Sequence, residues 1–265
     1  MLDFDLVGLL RDNVLLVALS ALRVSMVFVL LPLFTREGIP ALIRNSIYLA
    51  LALISVAVQP AVPADAFQSD MWIMLFAKEA LIGIAIGFFF GIYLWAFEAA
   101  GIIIDMQVGS SFALFLDPIV GNEVTLVGSL LGRLATYLFL ASGGLMLLAG
   151  GLLESFAIWP LFQPVTGIKE ASIMLFETEL SRFMFLVVRV AGPVMVVLFV
   201  IDLAMGLINR YAQQFNVFFL SISVKSMASI LMLIILLPYL VEVLVGEMAV
   251  QVGAINAYLQ QILQL

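Results

Sequence analysis

Apolar runs of membrane-spanning length recur along this chain, and they constrain it more than any other feature. A helix needs about 20 apolar residues to cross a hydrocarbon core about 30 Å thick. The runs match that length or multiples of it. The first is Val14–Phe34, closed by Pro32 and the polar turn TREGIP. The second is Ser46–Val58, ending at Gln59-Pro60, and the third is Ala80–Phe97. A fourth, Val124–Leu153, is too long for one upright span, and Gly143-Gly144 and Gly150-Gly151 predict a bend or an early end within it. A more polar segment, Glu154–Arg182, follows. The last two runs, Phe183–Ile208 and Phe215–Val245, are joined by the turn Asn209–Gln214, with Asn209, Arg210 and Asn216 at or beside it. So short a link predicts an antiparallel helical hairpin. The tail, Gly246–Leu265, is weakly amphipathic.

Composition agrees with this reading. Of 265 residues, 65% are hydrophobic and 11% charged, and the mean hydropathy is +1.23. Soluble domains carry about 25% charged residues, so too few water-facing side chains exist to coat a soluble core. The fold class expected is all-α, a multi-helix integral membrane-type protein. Cysteine and histidine are both absent, which removes disulfides, thiolate nucleophiles, His-ligated metals and His-based triads. Neither a cofactor nor a metal site is expected. The net charge of −7 and the lack of a basic run argue against nucleic acid as a partner. The N-terminus, MLDFDLVGLLRDN, is acidic, and no cleaved signal peptide is expected. Arg36 and Arg44 flank the first turn while Asp65 and Asp70 mark the next, which favours the first turn on the cytoplasmic side. Later loops show little Lys/Arg contrast, an argument against a simple serpentine topology.

Ionisable residues within apolar runs are the candidate functional groups, because each should face a partner or an aqueous path rather than lipid. Arg23, Arg133, Arg189, Asp202 and Lys225 lie in such runs, with Glu98 and Asp105 at the edge of the stretch Glu98–Glu123 that follows the third. Asp202 and Lys225 stand at nearly equal distances from the middle of the Asn209–Gln214 turn. At 1.5 Å per residue they fall at the same depth of the hairpin and can pair. Three roles stay open for them: pinning the hairpin, carrying protons, or contacting another subunit. Arg133 and Arg189 find no partner in their own helices and must reach Glu98, Asp105, Asp117 or another chain. Gly83, Gly87 and Gly91 recur every four residues, a stripe that lets another helix approach closely.

The stretch IIIDMQVGSSFALFLDP, Ile102–Pro118, breaks the pattern. Gly109, Ser110 and Ser111 make a poor helix interior, and the residue before Pro118, Asp117, is pushed out of the α region. A helix is predicted to end near Gly109, followed by an irregular apolar loop carrying Phe112 and Phe115. Irregular backbone at membrane depth survives only where protein encloses it or where it lines a cavity. From the residues alone this loop is either a plug or a re-entrant packing loop.

Three blocks carry a family resemblance. AKEALIGIAIGFFFGIYLWAFEAAGIIIDMQVGSSFALFLDP, Ala77–Pro118, resembles the central region of the export-gate proteins of type III secretion and flagellar assembly, the SctT/FliR family. NRYAQQFNVFFLSISVKS, Asn209–Ser226, resembles that family's C-terminal hairpin motif, and ALRVSMVFVLLPLFTREGIPALIRNSI, Ala21–Ile47, its N-terminal helix pair. Lys225 after an FFLS run looks more like the injectisome branch, although Ser221-Ile222-Ser223 stands where the family has a proline.

The resemblance implies helical hairpins in a spiral export-gate assembly at the bacterial inner membrane, with about five SctR-like and about four SctS-like subunits in heterologous contact and an SctU-like protein attached. It implies an SctR-like region over 1–182, including a plug segment at 98–123, and an SctS-like hairpin and tail over 183–265. The family's plug loop falls on Gly109, Ser110, Ser111, Phe112, Phe115, Asp117 and Pro118. Unfolded proteins would pass through the gate, with lipid around it. The chief alternative is a secondary transporter of a small solute that uses the intramembrane Asp, Arg and Lys residues. An intramembrane enzyme would need a Ser–Lys or paired-Asp site, and no such motif is present, so no enzymatic activity is expected.

Overall fold

The computed structural model describes residues 6–33, 40–59, 72–109, 125–162, 170–211, 214 and 216–263. Among these residues the secondary structure is helical without strands. The helices are α1 (Leu6–Leu30), α2 (Ala41–Val58), α3 (Trp72–Val108), α4 (Leu126–Ala141), α5 (Gly144–Ile158), α6 (Glu170–Tyr211) and α7 (Val217–Leu263). Four of them are long and apolar enough to cross a membrane, over Ala41–Val58, Trp72–Val108, Met174–Tyr211 and Val217–Val250; α4 and α5 together form a broken fifth candidate.

The ends of these helices follow from local chemistry. Gln59 precedes Pro60 and takes the extended conformation that closes α2 (φ −75°, ψ 147°). Trp159, before Pro160, leaves the helical region (φ −127°, ψ 87°) and ends α5. Gly109 adopts φ +96° after the last turn of α3, and its N–H bonds back to the carbonyls of Asp105 and Met106. This left-handed glycine end is common in helices. The fourth apolar run breaks at Ser142-Gly143, where Gly143 takes φ +83°. Gly150-Gly151, the other predicted bend, runs straight through α5.

Several boundaries differ from the sequence expectation: α1 begins at Leu6 rather than Val14, α2 at Ala41 rather than Ser46, and α6 at Glu170 rather than Phe183. The third run begins at Trp72 rather than Ala80 and continues to Val108. The apolar WIMLF before Lys78 supplies the extra turn, and Lys78 and Glu79 are thereby placed inside a helix. The tail after Gly246 does not form a separate amphipathic piece but continues α7 to Leu263. At 1.5 Å per residue, α6 and α7 reach roughly 60–70 Å, about twice a hydrocarbon core.

The chain divides into two compact units. Unit 1 takes the chain to Gly91, Gly143–Glu179 and the end from Val250; unit 2 takes Ile92–Ser142 and Leu180–Ala249. In unit 1, α1 and α3 pack at the predicted glycine stripe. A Cβ on Gly83 would sit 2.6 Å from the Arg23 carbonyl oxygen, and one on Gly87 2.9 Å from that of Val27. The core there holds Leu19, Val24, Phe28, Leu148, Leu152 and Phe156, all nearly inaccessible. Phe88 and Phe89 also cluster with Phe176, at ring centroids of 5.5 and 5.1 Å.

In unit 2, α3 and α4 touch backbone to backbone. A Cβ on Gly101 would lie 2.6 Å from both the Cα of Gly128 and the carbonyl oxygen of Val127. Those atoms cannot rotate aside, so a larger residue must push the helices apart. Gly101→Val is expected to destabilise the protein by about 1–3 kcal/mol, the usual range for overpacking. Gly150→Ala, inside α5 and with nothing within 4 Å of the new Cβ, should not destabilise and is expected to stabilise by up to about 1 kcal/mol, alanine being the better helix former. Thermal unfolding of the two variants in mild detergent checks this.

Candidate functional site

Two polar clusters lie among the apolar helices, one in each unit. In unit 2, the cluster frames residues 110–124. Thr125 begins α4 without a side-chain cap of its own. The first amides of a helix have no partner within it, and here α3 supplies one. Asp105 Oδ2 accepts from the backbone N–H of Val127 at 2.9 Å and of Gly128 at 3.0 Å. The close approach at Gly101 and Gly128, one turn earlier on α3, brings the carboxylate within range. A carboxylate at a helix N-terminus also meets the positive end of the helix dipole. Asp105 is buried, 4% exposed, so no water competes for the two amides.

The C-terminal end of α3 is held on its other side by the α6/α7 hairpin. Lys225 Nζ donates to the Gln107 carbonyl at 2.9 Å and stands 2.9 Å from Asp202 Oδ1. Gln107 Nε2 donates to Asp202 Oδ2 at 2.9 Å. This is the pairing that equal depth in the hairpin predicts, with the end of α3 added as a third member. Gly109 faces Ile222, whose Cγ1 would lie 3.5 Å from an added Cβ. Beside the pair, a cavity of about 340 Å³ opens among Asp202, Met205, Asn209, Asn216 and Phe218. Segment 110–124 thus leaves the described structure at Gly109 and returns at Thr125, with both roots tied by charge-assisted bonds. Ser110, Ser111, Phe112, Phe115, Asp117 and Pro118 lie outside the described residues.

The remaining charges of unit 2 are distributed differently from the sequence expectation. Arg189 does not turn to Glu98 or Asp105. Its Nη1 meets Glu247 Oε1 at 3.1 Å and its Nε donates to Tyr239 Oη at 3.3 Å. Arg182 also approaches Glu247, at 3.9 Å, and donates to Tyr93 Oη. Glu247 is thus the acceptor that was missing from the sequence reading. It lies in the segment read as a tail, 58 residues from Arg189. Glu98 is half-buried over Gly132. Arg133 is exposed, as are Asn209 and Arg210 in the last turns of α6 and Asn216 before α7.

In unit 1, the cluster centres on Arg23, which is fully buried. Its Nε donates to Glu79 Oε2 at 2.6 Å, Nη1 to Ser155 Oγ at 3.1 Å and Nη2 to the Trp159 carbonyl at 3.0 Å. The guanidinium carbon lies 4.0 Å from the centre of the Phe156 ring, a cation–π contact. Lys78 Nζ stands 3.0 Å from Glu79 Oε1 and donates to the carbonyls of Pro160, at 3.0 Å, and Leu161. Two buried cations therefore share one carboxylate. The carbonyls just past the end of α5, the negative pole of that helix, supply the remaining acceptors. Lys78, Glu79 and Ser155 escaped the sequence reading. Lys78 and Glu79 fall just before the expected start of the third run at Ala80, and the apolar WIMLF ahead of them is the one sequence signal for a longer helix.

These features define a class: a multi-pass helical membrane protein whose buried charges are internally paired and whose central break is anchored at both ends. Comparison with known proteins gives the family. Residues 14–250 match the family described as bacterial export proteins, family 1. The chain is 32% identical over 212 residues to the Yop proteins translocation protein T of Yersinia pestis, covering 78% of this chain and 80% of the relative. It is 30% identical over 215 residues to the flagellar biosynthetic protein FliR of Bacillus subtilis, covering 81% and 83%. It is 28% identical over 225 residues to the secretion system apparatus protein SsaT of Salmonella typhimurium, covering 84% and 86%. The chain belongs to this bacterial export family.

Replacing Arg23 with Met leaves Lys78 as the ion partner of Glu79 but removes the donors that meet Glu79 Oε2, Ser155 Oγ and the Trp159 carbonyl. A loss of about 1–3 kcal/mol is expected, the cost of leaving buried acceptors unsatisfied. Arg23→Lys should recover little of it, because an ammonium cannot reproduce the fork that meets Glu79, Ser155 and Trp159 together. Asp105→Ala removes one acceptor from two amides and is expected to cost about 1–3 kcal/mol, with Asp105→Asn milder. Denaturant or thermal unfolding in detergent, set against wild type, measures both series.

Proposed function

We propose that this chain is a core export-gate component of a bacterial type III secretion system, forming part of the conduit through which unfolded proteins cross the inner membrane. The family match across residues 14–250 is the observation that carries the reading. Relatives named for injectisome and flagellar systems both support it, and the injectisome branch is favoured by the 32% identity to a Yop translocation protein. The chain would work as a structural part of the machine rather than as an enzyme. Its partners would be SctR-like, SctS-like and SctU-like subunits. The partition into an SctR-like region, 1–182, and an SctS-like hairpin with its tail, 183–265, belongs to this proposal. It runs along the chain and is distinct from the two compact units.

Segment 110–124 would close the conduit, with Phe112 and Phe115 as its apolar tips. What supports this is the anchoring of its roots. Asp105 ties the start of α4 back to α3, and Lys225 with Asp202 ties the end of α3 to the hairpin. A stopper that must yield to a passing chain and return needs a fixed frame, and the charged contacts at Gln107 and at the start of α4 supply one. The transporter alternative is not favoured. Asp202, Lys225 and Arg189 are each engaged in ion pairs, and the named relatives are secretion and flagellar proteins.

Deleting Ser110–Leu116 is expected to make the bacterial membrane leaky to ions and small solutes while the chain remains in the gate complex. Ion flux into vesicles measures the leak, and native mass spectrometry of the co-expressed complex verifies assembly. An intact complex with unchanged permeability would sink the plug reading.

A further inference from the structure

α4 presents an outward stripe with one charge at its centre. Leu126, Leu130, Arg133, Tyr137 and Leu140 follow one another at intervals of four and three residues, the spacing of a single helical face. All five are exposed, Tyr137 to 68% and Leu126 to 61%. The opposite face, Val127, Gly128, Leu131, Ala135 and Phe139, is buried. Arg133 stands seven residues from the first residue of α4 and eight from the last. The rise of the helix puts it about 10 Å from either end.

An arginine stays charged in almost any environment, so this one needs an acceptor. Among the described residues none forms an ion pair with it. The nearby carboxylates of unit 2 have other work. Asp105 caps α4, Asp202 holds Lys225 and Gln107, and Glu247 receives Arg182 and Arg189. Glu98 lies over Gly132 on the adjoining flank without reaching Arg133. A lone surface leucine needs no explanation. A guanidinium centred in an apolar stripe does, because its mid-helix position keeps it from snorkelling to a water layer at either helix end.

We propose that this stripe of α4 docks against a helix of another export-apparatus subunit, and that Arg133 pairs there with an aspartate or glutamate set in an otherwise apolar face. The partner is defined by charge complementarity and by the width of the stripe. It must offer small or aliphatic residues against Leu126, Leu130 and Leu140, a carboxylate level with Arg133, and an acceptor for the Tyr137 hydroxyl. The inference rests on the export-gate reading and deepens it by naming the contact chemistry of one face. Arg133 acts here as a specificity determinant: a subunit lacking the carboxylate would have to bury the guanidinium unpaired, which discriminates strongly against it.

The test uses the full chain in its native membrane with the rest of its export apparatus. A photoreactive p-benzoylphenylalanine is placed at Leu130 or Tyr137, leaving Arg133 intact. The expected result is an adduct with a second export-apparatus protein, mapping to a helix that carries Asp or Glu. Arg133→Glu should then reduce recovery of the hetero-complex about tenfold or more, and changing the mapped carboxylate to Arg should restore it. Adducts with lipid alone, adducts only within this chain, or a mapped helix without a carboxylate would each overturn the inference, even with the gate complex intact. Full recovery of the complex by Arg133→Glu would do the same. A chain that purifies with none of the export subunits would overturn the gate reading itself and this inference with it.

Discussion

Arg23 cannot shed its charge, and unit 1 is organised around answering it. A guanidinium in an apolar interior is tolerable only when each of its N–H groups is aimed at an acceptor. Three structural features supply those acceptors. The glycines at 83 and 87 let α1 and α3 approach closely enough for Glu79 to reach Nε. Ser155 lies on the inward face of α5. The stop imposed by Pro160 leaves the carbonyls after α5 unclaimed and turned toward Arg23 and Lys78. Shifting any one of these by a helical turn would leave a buried charge unanswered, which is far worse than losing a methyl contact. The network thus fixes the register of α1, α3 and α5 in a way that interchangeable leucines and isoleucines cannot.

Unit 2 uses the same logic with a different geometry. Two of its charges meet helix ends, where backbone groups left over from the helical ladder become partners. Asp105 takes amides from the start of α4, and Lys225 takes a carbonyl from the end of α3. In each case a side chain completes a helix that its own residues leave incomplete. The polar groups in these apolar helices therefore read first as connectors between elements. Their identity as aspartate or lysine matters because an ionised partner strengthens a hydrogen bond wherever water is scarce.

The helical class and the positions of the apolar runs were legible in the sequence because apolar length is a one-dimensional property. The hairpin pair Asp202–Lys225 was legible for a similar reason: a short turn converts distance along the chain into depth, and two residues at equal depth can be matched by counting. The end of α3 at Gly109 was equally readable, since glycine and serine there oppose a helix. Glu79 and Glu247 were not legible. Both lie at the margins of apolar runs, where a charge ordinarily signals solvent. Their partners come from other helices whose rotation about their axes no periodicity fixes in an all-apolar sequence. Helices that are hydrophobic on every side carry little information about which side faces which neighbour.

The hydrogen bond from Val127 to Asp105 has a kinetic consequence. It joins positions 22 residues apart, so the chain between them is a closed loop whose ends do not wander. The entropy of bringing those ends together is spent during folding and is not paid again at each opening. On the gate reading, a displaced stopper then needs no encounter step to return, only relaxation of a short tethered chain. Resealing would then be a local motion between fixed ends, so a conduit that opens for each substrate would not have to reassemble its frame between them.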